Sequence, residues 1–362
     1  MKDEKVCMGC GVRLQSDDET QIGYIPDNHN MIWCQRCFRI RHYNDMTEIV
    51  QDAETYQVKL SMIRNQEALV VQIVDLFDFG GSFIPELHRY IGKNRLILIV
   101  NKIDLFPRST NWQRVTDWIR DAYRQEQLFP EAILLTSAEK GFQVRETMEA
   151  IEYYRQGRDV YMVGTANVGK STLINRMLQA ASVDGSDLTT SPYPGTTLDF
   201  IQIPLDDGRY LVDTPGLLRK DRMTEWLNPA ELKLVVPSSR IKPKVYQLQA
   251  KQTLFLGGLV RFDFIAGDPQ SFVCYTSNRL LIHRTKLAHA DQFAKKHIGG
   301  LLKPPMNSEH GIKWRKEHLY LPSDKVDIAI SGFGFISSGK KKAEVAITVP
   351  EQVQLNLRPS II

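Results

Sequence analysis

Long apolar runs are missing from this sequence. No stretch approaches the roughly 18 apolar residues that cross a bilayer as a helix, so no membrane span is expected. The charged start, Met1-Lys2-Asp3-Glu4-Lys5, runs into cysteines without the apolar core of a signal or transit peptide, which makes the cytoplasm the expected compartment. Cysteine is scarce: there are five among 362 residues, and four of them stand in two C-x-x-C pairs. A large net charge is also missing. The balance is only +4, with 43% apolar and 24% charged residues, as in ordinary soluble globular proteins. A chain of 362 residues exceeds one small core and suggests two or three domains. The small net charge hides an asymmetry. From Leu218 onward there are 23 Lys and Arg against 12 Asp and Glu, a net of +11 that leaves −7 for the remainder. A basic C-terminal third on an acidic body points to a polyanionic partner, with a merely solvated basic surface as the alternative.

The stretch Gly164-Thr165-Ala166-Asn167-Val168-Gly169-Lys170-Ser171 fits the pattern G-x-x-x-x-G-K-[ST]. It follows the short apolar run Asp159 to Val163 and opens a helical pattern from Thr172 to Leu178, the strand–loop–helix setting in which this pattern binds phosphate. Glycine lets the backbone curl so that successive N–H groups point at an anion. The helix N-terminus adds partial positive charge and Lys170 a full one. The Ser171 hydroxyl is placed to ligate Mg²⁺. Nucleotide contacts are expected from Gly164, from Asn167 through Ser171, and from Thr172; a glycine-rich turn is the bland alternative.

At the N-terminus, Cys7-Met8-Gly9-Cys10 and Cys34-Gln35-Arg36-Cys37 are separated by 23 residues. Each pair makes a knuckle with two thiolates on one side, and two knuckles complete a tetrahedral Zn²⁺ site. Four cysteines close the site, so it is expected to be structural, and with few apolar residues nearby the metal should supply most of the module's stability. Two disulfides do not suit a reducing compartment. A redox C-x-x-C needs only one pair and a βα setting. His29 and His42 fit the knuckle spacing less well.

Residues 52–66 carry Tyr56, Leu60 and Ile63 at helical spacing. Apolar runs at 68–74, 95–100 and 132–135 each lead into a loop and a helical pattern. That alternation predicts a parallel α/β sheet with function at its C-terminal strand ends. Asn101-Lys102-Ile103-Asp104 follows the second run, and the Asp104 carboxylate can accept guanine N1–H and N2–H together, a pair adenine cannot offer. Thr136-Ser137-Ala138 follows the third, where a backbone N–H of Ser137 or Ala138 can meet guanine O6. Strands over 200–205 and 210–212 are expected to flank a turn at Asp206-Asp207-Gly208. Asp213-Thr214-Pro215-Gly216 comes next, with Asp213 placed to hold Mg²⁺ through water and the Gly216 N–H to sense a γ-phosphate. In the loop Ser191-Pro192-Tyr193-Pro194-Gly195-Thr196-Thr197, Thr197 is chosen as the switch threonine on Mg²⁺, with Thr196 as its rival. Asp75 and Asp78 follow a strand end and could face the nucleotide or cap their own loop.

All five guanine-nucleotide motifs are present in rotated order, base-reading before phosphate-reading, and here the sequence resembles the circularly permuted GTPases. The four-cysteine segment, the loop Asp75-x-x-Asp78-Phe79-x-Gly81-Ser82-Phe83 and the basic tail narrow the resemblance to the YqeH family of ribosome-assembly GTPases. Permutation is physically reasonable, because one sheet can be closed by joining the old termini and opened elsewhere. The resemblance implies slow GTP hydrolysis, with GTP/GDP, Mg²⁺ and Zn²⁺ as cofactors, and a role in maturation of the small ribosomal subunit. It implies a catalytic group of Lys170, Thr197, Gly216 and Asn167. Leu217 stands where Ras-like enzymes place a water-orienting glutamine, so intrinsic hydrolysis should be slow. Asn167 matches the asparagine with which potassium-dependent GTPases hold K⁺; the alternative is that it caps the loop.

In the C-terminal third, a helical pattern over 219–239, strands over 252–264, 271–275, 326–330 and 342–349, and a helix over 288–297 are expected. No acid–base pair or metal cluster stands out there, so no chemistry is assigned. Lysines and arginines interleave with aromatics in Lys313-Trp314-Arg315-Lys316 and near Ser331-Gly332-Phe333-Gly334-Phe335, a mix that suits RNA, although core packing is the commoner role for any one ring. Cys274 reads as a buried small hydrophobe. The expected fold is α/β: a zinc-binding module over 1–48, a circularly permuted Ras-like P-loop GTPase domain over 49–218, and a basic α+β domain over 219–362. The expected partner is ribosomal RNA or the small subunit, with no membrane partner and a monomeric state. A GTPase serving tRNA modification is the alternative, and a binding protein with a dead nucleotide site is opposed by Lys170, Ser171, Asp213 and Asp104.

Overall fold

A computed structural model describes residues 5–8, 12–17, 23–26, 31–35, 37–39, 50–183, 193–194, 200–306 and 311–362. The chain divides into two compact units. The first comprises Met1–Leu76, Ser82–Ile103 and Thr116–Leu218, and the second Phe77–Gly81, Asp104–Val115 and Arg219–Ile362.

The first unit is built on a seven-stranded sheet. After β1 (Val50–Gln51) and α1 (Ala53–Ile63), the chain enters β2 (Ala68–Asp75), in which every residue is buried. Such a run, without polar alternation, marks a central strand covered on both faces. The chain continues through β3 (Arg95–Asn101), α2 (Trp112–Gln125), β4 (Ala132–Leu135), α3 (Val144–Arg155) and β5 (Asp159–Gly164). Helix α4 (Lys170–Val183) follows, then β6 (Tyr193–Pro194), β7 (Ile201–Pro204), β8 (Tyr210–Asp213) and β9 (Gly216–Leu217). The sheet order is β4-β3-β2-β5-β8-β7-β6. The first five strands of that order run parallel, while β7 pairs antiparallel with β8 and with β6. Leu69, Ile73, Ile99, Val160, Met162 and Leu173 form its core, all fully buried. Helix α1 starts where Asp52 accepts the Thr55 N–H at 3.0 Å, a capping bond that satisfies one otherwise orphaned donor. β9 pairs in parallel with β1 and the Leu218 N–H donates to Gln51 O at 2.8 Å, so the last residues of the unit are tied back to its first strand.

The second unit is mostly strand. Helix α5 (Pro229–Val235) precedes β10 (Lys244–Leu248), β11 (Gln252–Leu256), β12 (Val260–Gly267), β13 (Gln270–Tyr275) and β14 (Ile282–Lys286). Helix α6 (Leu287–His297) then leads to β15 (Trp314–Leu321), β16 (Val326–Ile330), β17 (Gly334–Ser337), β18 (Ala343–Pro350) and β19 (Leu355–Pro359). These make two five-stranded sheets, β10-β13-β17-β16-β19 and β14-β11-β12-β18-β15. Phe262, Phe264, Phe272, Phe333 and Ile347 pack between them. The expected helix over 219–239 is reduced to a 3-10 turn, Met223–Trp226, and α5. Asn228 sets that restart through a full capping box with Glu231, with Pro229 just inside the helix. Within this unit Asp78 accepts from Arg222 Nε at 2.7 Å and from the Gly332 N–H at 2.9 Å, a buried ion pair satisfied by a third group.

Candidate functional site

Parallel pairing carries the motif loops that follow β2, β3, β4, β5 and β8 to one edge of the first unit's sheet. β2 ends at Asp75, β3 runs into Asn101 and Lys102, β4 leads to Ser137 and Ala138, β5 opens into the Gly164–Ser171 loop, and β8 ends on Asp213. Hydrogen bonds knit these loops together. The Asn101 side chain donates from Nδ2 to Val168 O at 2.9 Å and accepts the Ala138 N–H on Oδ1 at 2.9 Å, so one amide spaces the phosphate loop from the Ser137-Ala138 loop. The Lys102 ammonium donates to Asn167 O at 2.6 Å and to Asp75 Oδ2 at 2.7 Å. The Thr136 N–H meets Val100 O and the Ile103 N–H meets Thr136 O, at 2.9 and 3.3 Å.

The backbone is strained where these bonds converge. Lys102 and Asn167 both have φ of 65°, and Gly169 has φ of 92°. A Cβ at Gly169 would lie 2.4 Å from Asn101 Nδ2, so glycine is required there both by conformation and by close approach.

Lys170, with none of its surface exposed, forms an ion pair with Asp213, which is 1% exposed. A cation and a carboxylate buried this deeply require each other. Beside them the Ser171 hydroxyl is buried and has no hydrogen-bond partner, and neither has Thr165 Oγ1. A buried hydroxyl without a partner, next to a carboxylate and at the start of a helix, is a donor set suited to Mg²⁺. Thr172 and Asn167 are exposed, and Val168 is buried. Asp104 is half-buried in a 3-10 turn, Ile103–Leu105.

In the N-terminal segment the Sγ atoms of Cys7, Cys34 and Cys37 lie within 4.8 Å of one another and all three residues are buried. The Cys34 N–H points to Cys7 Sγ at 3.1 Å and the Cys37 N–H to Cys34 Sγ at 3.5 Å, the N–H···S pattern of a knuckle holding thiolates. Three convergent sulfurs fit a metal of the zinc type. Cys10, His29, His42, Thr196 and Thr197 lie outside the described residues.

Four participants were missed or left open in the sequence. Asp75 reaches the site through Lys102, whereas Asp78 belongs to the second unit's Arg222 pair. Arg176 on α4 donates to Ala138 O at 3.2 Å and Glu139 O at 3.0 Å, holding the Ser137-Ala138 loop from the helix the phosphate loop starts. Helical arithmetic places residue 176 about one and two-thirds turns past Lys170, but no local pattern names its partner. Leu217 is 4% exposed, and its carbonyl accepts the Ala166 N–H at 2.9 Å, so the position after Gly216 is a backbone brace on the phosphate loop. The Tyr56 hydroxyl adds a bond to Gly164 O at 3.4 Å.

Comparison with known proteins agrees with this geometry. A family profile described as "50S ribosome-binding GTPase" matches residues 159–253, and one described as "YqeH-like, C-terminal" matches residues 269–361. The chain is 42% identical to "Uncharacterized protein YqeH" of Bacillus subtilis, over 99% of both chains. It is 30% identical to "Putative nitric oxide synthase" of Oryza sativa, over 98% of this chain and 77% of that protein. It is 29% identical to "GTPase Der" of Caldanaerobacter subterraneus, over 54% of this chain and 45% of that protein.

Proposed function

Because the chain belongs to the YqeH family of GTPases, we propose that this GTP-hydrolysing enzyme is a switch for assembly of the small ribosomal subunit, docking on RNA through its second unit. The observation that carries the RNA role is the outer row of β15. Trp314, Lys316, His318 and Tyr320 alternate along this edge strand, all four exposed, Tyr320 by 77%. Large rings left in water beside a cation, in a third of the chain with a net charge of +11, suit bases that stack and phosphates that need neutralising. Phe333 and Phe335, in contrast, are core residues and contribute nothing to such a surface.

At the nucleotide site, the N–H groups of the phosphate loop and Lys170 gather the phosphate charge, Lys170 turning from Asp213 to the phosphates as nucleotide enters. Mg²⁺, when bound, supplies charge neutralisation at the transferring phosphoryl group, with Ser171, Asp213 and Thr197 as its assigned holders. Asp104 reads guanine, and Asn101 and Lys102 keep its loop on the phosphate loop. The buried Leu217 side chain cannot orient water, so slow intrinsic turnover is expected. The cysteines Cys7, Cys10, Cys34 and Cys37 are assigned to structural Zn²⁺. Motif order along one continuous sheet supports a circular permutation.

Sedimentation with isolated ribosomal subunits in GTP, GDP and no nucleotide tests the role. Nucleotide-dependent migration with the small subunit is expected, weakened at least tenfold by Trp314→Ala with Tyr320→Ala. The profile matched by residues 159–253 names the 50S particle, so migration with the large subunit alone would move the role there. Migration with neither in any state would overturn it.

A further inference from the structure

The first unit carries a pocket of about 800 Å³ between α3, α4 and the β7–β8 hairpin, and it is lined by none of the residues in the motif loops' hydrogen-bond network. Its floor is apolar: Met148 and Ile151 of α3, Met177 and Leu178 of α4, and Ile203 and Leu211 of the β7–β8 hairpin. Its rim is acidic. Glu149, Glu152, Asp206 and Asp207 line it against one cation, Arg155. That guanidinium is 5% exposed and already committed, bonded from Nε to Glu152 at 2.6 Å and from Nη1 to Asp207 at 2.7 Å. The rim therefore keeps a surplus of negative charge, with Glu149 and Asp206 both exposed.

We propose that this pocket is a docking site for a protein partner, taking the apolar anchor side chains of a cationic amphipathic helix while its lysines or arginines meet the rim. Charge complementarity selects this occupant. Nucleic acid would bring phosphates against four carboxylates over a floor without donors. The volume is in the range that encloses a few large side chains and far exceeds a packing void. Paired methionines suit a groove that adjusts to different apolar faces, and apolar anchors in a groove are the ordinary way such helices bind. The pocket is also placed to matter. Helix α4 begins at Lys170 and Ser171 and reaches the pocket with Ala181, and the hairpin that bears Asp206 and Asp207 ends on Asp213. An occupant would touch the distal parts of two elements whose other ends hold nucleotide-site residues.

The test uses the full-length, GDP-loaded protein and two labelled probes: a four-turn amphipathic helix of leucine and lysine, and the same helix with glutamate for lysine. Saturable binding of the lysine helix is expected by fluorescence anisotropy, at least tenfold tighter than the glutamate helix. Glu149→Lys with Asp206→Lys should reduce it at least tenfold while GDP affinity and melting temperature stay unchanged. In parallel, the ε-methyl NMR signals of Met148 and Met177 should shift in proportion to saturation. Equal binding of the two helices, undiminished binding to the double variant, or shifts confined to other methionines would each overturn the proposal.

Discussion

Gly169 concentrates the demands on the nucleotide site. Its backbone is left-handed at φ 92°, and the space its Cβ would fill belongs to the Asn101 amide that joins the loops. Gly169→Ala must either move that amide or flatten the loop. Strained backbone of this kind costs about 1–3 kcal/mol, and tenfold in affinity is about 1.4 kcal/mol. GDP affinity should fall roughly 10- to 100-fold, read by titration with a fluorescent nucleotide. A melting temperature lowered by only a few degrees would show that the loop, and not the fold, has been damaged. The motif glycine was legible in the sequence. Its partner was not, because Asn101 and Gly169 are brought together only by parallel pairing of strands far apart in the chain. The same holds for Asp75, which has no local reason to prefer the Lys102 ammonium to its own loop.

At the scale of elements, legibility followed burial. β2 and β3 were legible as long apolar runs because both their faces are covered, whereas β4, half-buried throughout at the sheet edge, and β5 were legible as short apolar runs that lead into motif loops. β15 was hidden: its outward row reads Trp, Lys, His, Tyr and its inward row includes Arg315 and Glu317, so apolar alternation never shows. Charged side chains at strand ends also carry part of the stability. Arg95 at the head of β3 grips Glu131 just before β4 with both nitrogens of its fork, which holds the Glu131 carboxyl below the usual range. Arg155 does the same to Asp207, joining α3 to the β7–β8 turn. A carboxylate depressed in the folded state contributes stability above its unfolded pKa and loses it as pH falls through the folded value. Glu131→Gln and Asp207→Asn should therefore each lower the melting temperature near pH 7 by roughly 1–3 °C, as for partly exposed pairs. The gap to the unsubstituted protein should close below about pH 4, where both carboxylates take up protons. A gap that persists unchanged at pH 3 would assign the loss to packing.

Across the whole molecule, the order of the modules was legible from motifs and charge. The sequence did not disclose that Phe77–Gly81 and Asp104–Val115 are counted with the second unit, since both fall inside the run of GTPase motifs. Their membership rests on pairings such as Asp78 with Arg222, whose partners are 144 residues apart. The cysteines divide just as unevenly. Cys7, Cys34 and Cys37 converge in the N-terminal segment, where the only apolar neighbours packed on them, among the described residues, are Leu14 and Trp33. So thin a cluster cannot offset chain entropy, and the proposed metal would supply what the core lacks. Cys274 is different. It is wholly buried in the second unit, and burial pushes its thiol up to about 12, so it stays neutral and unreactive in the native fold. Thiol titration should therefore come in two steps. With metal bound, none of the five cysteines should react quickly with a disulfide reagent. Mercurial displacement should release one Zn²⁺ per chain, and after chelation four thiols should react, the fifth only in denaturant. Cys34→Ser should abolish stoichiometric zinc and expose the first ~50 residues to protease, because a structural zinc site of this kind is folding free energy. GDP affinity should be retained, since the described hydrogen bonds around Lys170 and Asn101 come from residues beyond that segment. Loss of zinc and of GDP affinity together would mean that the metal module is part of the nucleotide site's support and not an appended arm.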